Sequence, residues 1–350
     1  MQITRQQKLI LRQTVLTAMR GFFEQQGFLE VIIPVLNETV PLEPTIYPFE
    51  TKWLKANEGQ KSFYLATSPE KALKKYLAEG VEKCFGLGHC FRNLEGAGKK
   101  HLPEFLMLEW YRYGENYEQI MADVKELVLE VRGAVFEKKR ELGVVEGGEE
   151  GLVEEDGATL VFQGQVIDLK NWQVLSVADL WREKIGVDLG EVIDDEKMMN
   201  LARERGYEVA GANWEQIFNQ IFLNEVEVDF GAQPFFLIDF PARISPLCQP
   251  KKEAPYLANR FEFYIGGMEI GNGNNEHINA DLVKKFFLAE KLEREKRGDL
   301  SCLIDEKFLE NLRKMKVIGE EWAGIGLGFD RLTMLMLGAE DIEEVSYFLG

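Results

Sequence analysis

The stretch "HCFRNLEGAGKKHLPEFLMLEW", residues 89–110, decides the fold, because it sets two runs of strand character around a charged loop. Residues 83–92 and 104–113 read as the two strands. The loop between them carries Arg92, Glu95, Lys99, Lys100 and His101. Two strands joined this way pair antiparallel. A helix is predicted over 117–141, with Ile120, Val124, Leu127, Val128 and Val131 on one face.

Upstream, residues 5–26 space Leu9, Leu16, Met19, Phe22 and Phe23 at helical intervals up to Gly27. "FLEVIIPVL" then reads as a strand whose proline suits an edge, a bulge or an interface rather than mid-sheet. "SFYLATSPEKALKKYLAEG" reads as a strand entering a helix, with Ser68 as N-cap, Pro69 at the first helical position and Gly80 as the stop. Glu70 thus falls in the first turn, at the end of a strand. Downstream, glycine and glutamate crowd into "GVVEGGEEGLVEEDG", residues 143–157, a surface linker and subdomain seam. Helices are predicted over 176–185, 195–206, 213–225, 281–298 and 305–315, and strands at "FFLIDF" and "NRFEFYIGGMEIGNG". "AGIGLGFDRLTMLMLG" closes the chain, and no internal repeat is present.

In "RFEFYIGGMEIGNG", a two-residue turn at Gly266-Gly267 sets Tyr264 opposite Glu269 and Phe263 opposite Ile270. Glu262 then lies diagonal to Glu269 on one face. Such a pair suits Mg²⁺, which takes few protein carboxylates and completes its octahedron with water and phosphates; it also suits a solvated outer sheet face. Beyond the hairpin, Asn272, Asn274 and Glu276 alternate and point one way if extended, either lining a pocket or forming a Gly/Asn-rich turn. In "GIGLGFDRL", Phe329 stands where a dinucleotide fingerprint needs its last glycine, so that reading fails. Alternating Gly324, Gly326 and Gly328 instead strip one strand face, letting a ligand or another backbone approach. Asp330 suits the helix start that follows, whereas Arg331 there calls for an anionic partner such as a phosphate.

The chain has 350 residues, 45% of them hydrophobic, which is enough for a substantial soluble core. Its 41 basic against 59 acidic residues give a net charge of -18, which argues against broad, nonspecific nucleic-acid binding. Four cysteines, Cys84, Cys90, Cys248 and Cys302, show no metal-ligand spacing and read as reduced thiols. The N-terminus lacks a signal-peptide core and no run reaches membrane-span length, so a cytoplasmic protein without a membrane partner is expected. Arg92 with its basic loop, the carboxylate pair and the Gly-strand delivering Arg331 together describe an α+β fold. Its mainly antiparallel sheet, flanked by helices, would bind a nucleoside triphosphate with Mg²⁺ and arginines, since no P-loop exists in the sequence.

These residues resemble the class II aminoacyl-tRNA synthetases. "GFLEVIIPVL" is similar to their first motif, "CFRNLEGAGKKHLPEFLMLEW" to the second and "GIGLGFDRL" to the third, in the family's order. "TSPEKALKKYL", "HLPEFLMLEWYR" and "RFEFYIGGMEIGNG" resemble the lysyl branch, and "YPFETKW" with "RLTMLMLGAEDIEEV" the stand-alone ligases that attach lysine or β-lysine to elongation factor P. The resemblance implies one catalytic domain over 1–350, a helical insertion around 143–230, and no anticodon-binding domain. It implies ATP and Mg²⁺ as cofactors, a homodimer built on the first motif, and transfer of an activated lysine-like group to a protein lysine. A tRNA acceptor or an inactive regulatory paralogue is the alternative, and the retained Arg92, Glu262, Glu269 and Arg331 speak against the latter.

The resemblance further implies that Arg92 holds the α-phosphate, that Phe105 and Arg331 sandwich the adenine, and that Glu262 and Glu269 bind Mg²⁺. Asn93, Glu95, His101, Leu102, Ile270 and Gly328 complete the ATP site. Glu70 and Glu276 would clamp the substrate ammonium, with Ser68, Glu109, Tyr111, Asn272, Asn274 and Gly326 around it. The chain departs from the family pattern where Leu94 separates Asn93 from Glu95, where Leu102 replaces an asparagine, and where Asn274 replaces an aromatic. Gly271, "SPL" at 245–247, and Gly326, where the factor ligases tend to carry alanine, tilt the expected substrate toward an α-amino acid.

Overall fold

The computed structural model describes residues 3–56, 59–94, 98–144, 157–227, 230–300 and 302–346. Helix α1 (Arg5–Gln25) starts at a capping box in which Thr4 and Gln7 each satisfy the other's backbone N–H. Its buried stripe is Leu11, Val15, Met19, Phe22 and Phe23. Met19, Phe22 and Phe23 are buried as expected, but toward the start of the helix the stripe continues through Val15 and Leu11, which leaves Leu16 half-buried and Leu9 42% exposed.

"FLEVIIPVL" does not form one strand. It splits into β1 (Leu29–Glu30) and β2 (Leu36–Asn37), with Pro34 in the gap where a ladder N–H would be missing. Next come β3 (Glu50–Lys55), β4 (Gly59–Leu65) and helix α2 (Glu70–Leu77). The cap of α2 also departs from expectation: Pro69 occupies the N-cap position, no side chain caps the helix, and Ser68 is left to face a cavity.

Strands β5 (Lys83–Phe91) and β6 (Glu104–Tyr113) flank the charged loop as predicted, and helix α3 (Tyr117–Glu141) follows. All five predicted core residues of α3 are fully buried, each stabilising the fold by about 1.5–3 kcal/mol. The predicted 143–157 seam lies mostly outside the described residues. Beyond it come β7 (Thr159–Phe162), β8 (Gln165–Asp168) and β9 (Gln173–Ser176). Helices α4 (Val177–Ile185), α5 (Asp195–Glu204) and α6 (Trp214–Ile221) build a separate core around Trp181, Trp214 and Phe218, and α6 continues into a π-helical turn at Phe222–Val226.

The remaining elements are β10 (Phe235–Ile238), β11 (Arg260–Ile265), β12 (Met268–Asn275), α7 (Ala280–Arg297), α8 (Glu306–Ile318), β13 (Trp322–Gly328) and α9 (Phe329–Leu337). Among the described residues, eight strands form one sheet in the order β1-β5-β6-β13-β12-β11-β10-β9. Only its outer pairs, β1 with β5 and β9 with β10, are parallel. The class is therefore α+β with a mainly antiparallel sheet.

Gly266 and Gly267 both have φ of +66°, the backbone that a two-residue hairpin turn requires. The predicted pairing of Phe263 with Ile270 is not found. The register slips after Phe263, which faces Gly271, and Ile270 is the extra residue of a β-bulge. A Cβ at position 271 would lie 2.8 Å from the Phe263 ring and 2.5 Å from the Gly326 carbonyl oxygen, so this pairing needs glycine. One sheet face, with Leu108, Trp110, Phe261, Phe263, Ile325 and Leu327, packs into the core shared with α1, α3 and α9. The other face is left for the site.

Candidate active site

Strand alternation puts two rows of residues on that free face. One row runs Glu109, Gly326, Asn272, Glu262 across β6, β13, β12 and β11; the next runs Tyr111, Gly324, Asn274, Arg260. Glu262 and Glu269 share the face because the bulge restores the alternation. The glycines of β13 differ in purpose. A Cβ at Gly324 would lie 2.2 Å from the Tyr111 ring, whereas one at Gly326 would find nothing nearer than 3.6 Å. Gly324 seats the tyrosine, and Gly326 leaves open space.

Two adjoining cavities, of about 630 and 210 Å³, occupy this face. The larger is lined by Ser68, Glu70, Arg92, His101, Glu109, Tyr111, Glu262, Glu269, Asn272, Asn274, Glu276, Gly326 and Arg331, all expected there. The smaller is lined by Leu102, Phe105, Ile270 and Gly328, with Arg92, His101 and Arg331 shared between the two. Asn93 sits at the loop root and pairs with Tyr47. Glu95 lies outside the described residues.

Electrostatics divide the larger cavity. At one end Lys74, 1% exposed, is held between Glu70 and Glu276, the latter at 2.6 Å. Burial pulls this ammonium down, but Glu276 and Glu70 more than offset it and keep it above its ordinary value. The two carboxylates expected to hold a substrate ammonium are thus already tied to one from the chain itself. Burial pushes Glu276 up to about 7 despite Lys74. Burial, then Glu70, also raises Glu109 well above the carboxylate range, and the Tyr111 hydroxyl donates to it at 3.1 Å. An ammonium placed by Glu109 would restore its charge.

At the hairpin, Glu262 accepts from Arg260 at 2.8 Å and from the Tyr264 hydroxyl at 2.9 Å. Burial, then Glu269, pushes Glu262 up to about 7. A carboxylate raised by a neighbouring one on the same sheet face suits a divalent cation. Among the described residues no cluster of three or more His, Cys, Asp or Glu side chains could hold a metal. The pair therefore fits an ion that takes its other ligands from phosphate and water, as Mg²⁺ does.

The side expected to take the nucleotide is cationic. Arg92 stands 5.3 Å from the Phe105 ring centroid and donates from Nε to the Thr67 carbonyl. Arg331 donates to the carbonyls of Lys100 and Glu269 at 3.2 and 3.1 Å, so the electrostatic misfit of an arginine at a helix start is answered by backbone oxygens. Asp330, its neighbour, accepts from Arg12 and from the Leu106 N–H. The loop folds back over the site: Lys100 Nζ reaches the Gly267 carbonyl at 3.4 Å, and Ile342 N–H donates to the Lys99 carbonyl at 2.9 Å. Leu94, the residue that interrupts the expected pattern, has φ of +63° and is 74% exposed.

Sequence reasoning missed Glu43, Lys74, Arg260, Glu215 and Glu227, of which all but Lys74 line the larger cavity. Lys74 and Arg260 carried signals. The first lies four residues after Glu70 on one helix face, and the second two residues before Glu262 on one strand face.

Residues 2–349 match the family model described as tRNA synthetases class II (D, K and N). The chain belongs to this class II synthetase family. It is 32% identical to a lysine–tRNA ligase of Staphylococcus saprophyticus over 345 residues, 98% of this chain and 64% of that protein. It is 33% identical to the lysine–tRNA ligase of Listeria monocytogenes over 347 residues, again 98% and 64%. A Carboxydothermus hydrogenoformans lysine–tRNA ligase is 32% identical over 342 residues, 97% and 64%. This synthetase chain therefore spans under two thirds of the length of these relatives. No helix among its described residues is long and apolar enough to cross a membrane.

Proposed function

We propose that the chain uses ATP to activate lysine, or a close lysine analogue, as an aminoacyl-adenylate in the cytoplasm, and transfers it to a lysine side chain of a protein such as elongation factor P. The observation that carries the reading is one cavity with two chemistries: an acidic end built from Glu70, Glu109 and Glu276, and an arginine-lined end adjoining a slot walled by Leu102, Phe105 and Ile270. A substrate that is cationic at its tip and anionic at its reacting end fits that polarity.

The substrate carboxylate is already a nucleophile and needs no general base. It attacks the α-phosphorus of ATP in line, the bond to the bridging oxygen breaks, and pyrophosphate leaves. Arg92 neutralises charge on the α-phosphate, while Phe105 and Arg331 hold the adenine. Glu262 and Glu269 would hold Mg²⁺, which supplies charge neutralisation on the phosphates. Glu109 and Tyr111, with Glu276, receive the distal ammonium. In the second half-reaction a neutral amine attacks the activated carbonyl and AMP departs.

A net charge of -18, together with Glu215 and Glu227 on the cavity wall, favours a cationic side chain over a phosphate backbone as acceptor. The names of the relatives favour the second reading, a tRNA acceptor. A homodimer would bury Leu29, Ile32, Leu36 and Trp53, all at least 49% exposed in the single chain. Amino-acid-dependent exchange of pyrophosphate into ATP, run across the standard amino acids and β-lysine, tests activation. Lysine or β-lysine should drive exchange, and a response to neither overturns the reading. Elongation factor P and bulk tRNA offered in parallel decide the acceptor.

A further inference from the structure

The segment from Pro41 to Ile46 enters the larger cavity from outside the catalytic sheet, between β2 and β3. Its place is fixed from two sides. Arg294, 1% exposed near the end of α7, donates through Nη2 to the carbonyls of both Glu43 and Ile46, the latter at 2.9 Å. The same guanidinium lies 4.8 Å from the Tyr47 ring centroid and is held by Glu290 at 2.8 Å. On the other side the Tyr47 carbonyl accepts from the Asn93 N–H at 2.7 Å, one residue after Arg92. Val40, just before the segment, and Leu42, within it, are both buried. Glu43 is therefore presented by a braced backbone rather than by a loose loop.

Its carboxylate differs from those of the two clusters described above. Glu70 and Glu276 have Lys74, Glu109 has Tyr111, and Glu262 has Arg260 and Tyr264. The Glu43 side chain makes no hydrogen bond or ion pair with any described residue, although it shares the cavity wall with Ser68, Glu70 and Arg92. Burial, then Glu70, pushes it up to about 7, against the opposing pull of Arg92, Lys74 and Arg260. Glu43 is half-buried at the cavity wall, so its carboxylate is open to a ligand in the cavity, and a cation placed there would supply the charge that favours its ionised form.

We propose that Glu43 binds the substrate ammonium nearest the reacting carboxylate, making the 41–46 segment part of the amino-acid pocket. This rests on the amino-acid-activating reading above. Two features fix which ammonium it is. The Glu109–Tyr111 pair takes the distal end, and Glu43 lies with Arg92, where the α-phosphate and hence the reacting carboxylate must sit. The substrate class is then a diamino acid whose two ammonium groups are read by separate carboxylates carried on separate elements.

Substrate pairing tests this through pyrophosphate exchange with wild type and Glu43→Gln. Norleucine retains the α-ammonium and lacks the distal one; 6-aminohexanoate is the reverse. Both serve as competitive inhibitors of lysine-dependent exchange. Loss of one charged hydrogen bond should raise the KM for lysine and the Ki of norleucine about ten- to a hundredfold. The Ki of 6-aminohexanoate, and the KM for ATP at saturating lysine, should stay unchanged. An equal effect on both analogues, an effect on 6-aminohexanoate alone, or none on either overturns the assignment. Absence of wild-type exchange would instead defeat the activation reading, and the same analogue pair followed by thermal shift would then decide the role of Glu43.

Discussion

Lys74 shows what a single buried charge does here. Its ammonium joins α2, through Glu70, to the segment after β12, through Glu276. Lys74→Met would leave two carboxylates buried without a counter-charge. We expect a loss of about 3–5 kcal/mol in unfolding free energy by denaturant titration, the usual cost of breaking a buried pair from one side. Arg92→Ala is the complementary case. It should abolish pyrophosphate exchange, by a factor of about a hundred or more, while circular dichroism and the melting curve remain close to wild type; near-normal turnover would refute its phosphate role. The residues legible in advance were those on strands. Glu109, Tyr111, Asn272 and Asn274 reach one face by the period of two alone. Glu43 was not legible, since nothing local says that Arg294, 251 positions away, will turn its segment inward.

At the scale of the element, β13 separates two uses of glycine that look identical in sequence. Gly324→Ala drives a methyl into the Tyr111 ring, and we expect about 1–3 kcal/mol of destabilisation with loss of activity. Gly326→Ala meets no close atom and relieves backbone entropy, so the melting temperature should hold or rise slightly. Its methyl would still enter the pocket beside Glu109, raising the KM for lysine in exchange assays. Both outcomes come from one pair of melting curves and one kinetic series. Long helices such as α3 were read almost to the residue because their apolar stripe repeats over many turns. "FLEVIIPVL" was not, since its two short strands belong to different sheets, a division made by pairing partners and by Pro34. The slip at Phe263 was equally hidden, being set by a ring that needs Gly271 beneath it.

For the whole molecule, the raised carboxyls give stability a direction with pH. Glu43, Glu262 and Glu276 move from an ordinary 4.5 to about 7. Between those values the folded chain keeps protons that the unfolded chain releases, so the unfolding free energy falls as pH rises through the window and levels off above it. Melting temperatures of the free protein should drop between pH 5 and 7.5. Glu43→Gln and Glu262→Gln should each reduce that drop; an unchanged slope in both would show that general charge repulsion is responsible. Association is tested at the same scale. Ile32 is 86% exposed, so Ile32→Lys should leave the melt unchanged yet convert a dimer to a monomer in sedimentation velocity. A wild-type monomer at micromolar concentration would contradict the dimer.

The bridge between Tyr47 and Asn93 has a thermodynamic consequence. It ties the strap that presents Glu43 to the root of the loop that presents Arg92. Ordering either segment pre-orders the other, so lysine and ATP should tighten each other's binding by the same factor, whichever is added first. Calorimetric titration of each ligand with and without the other, using a non-hydrolysable ATP analogue, should return equal coupling free energies.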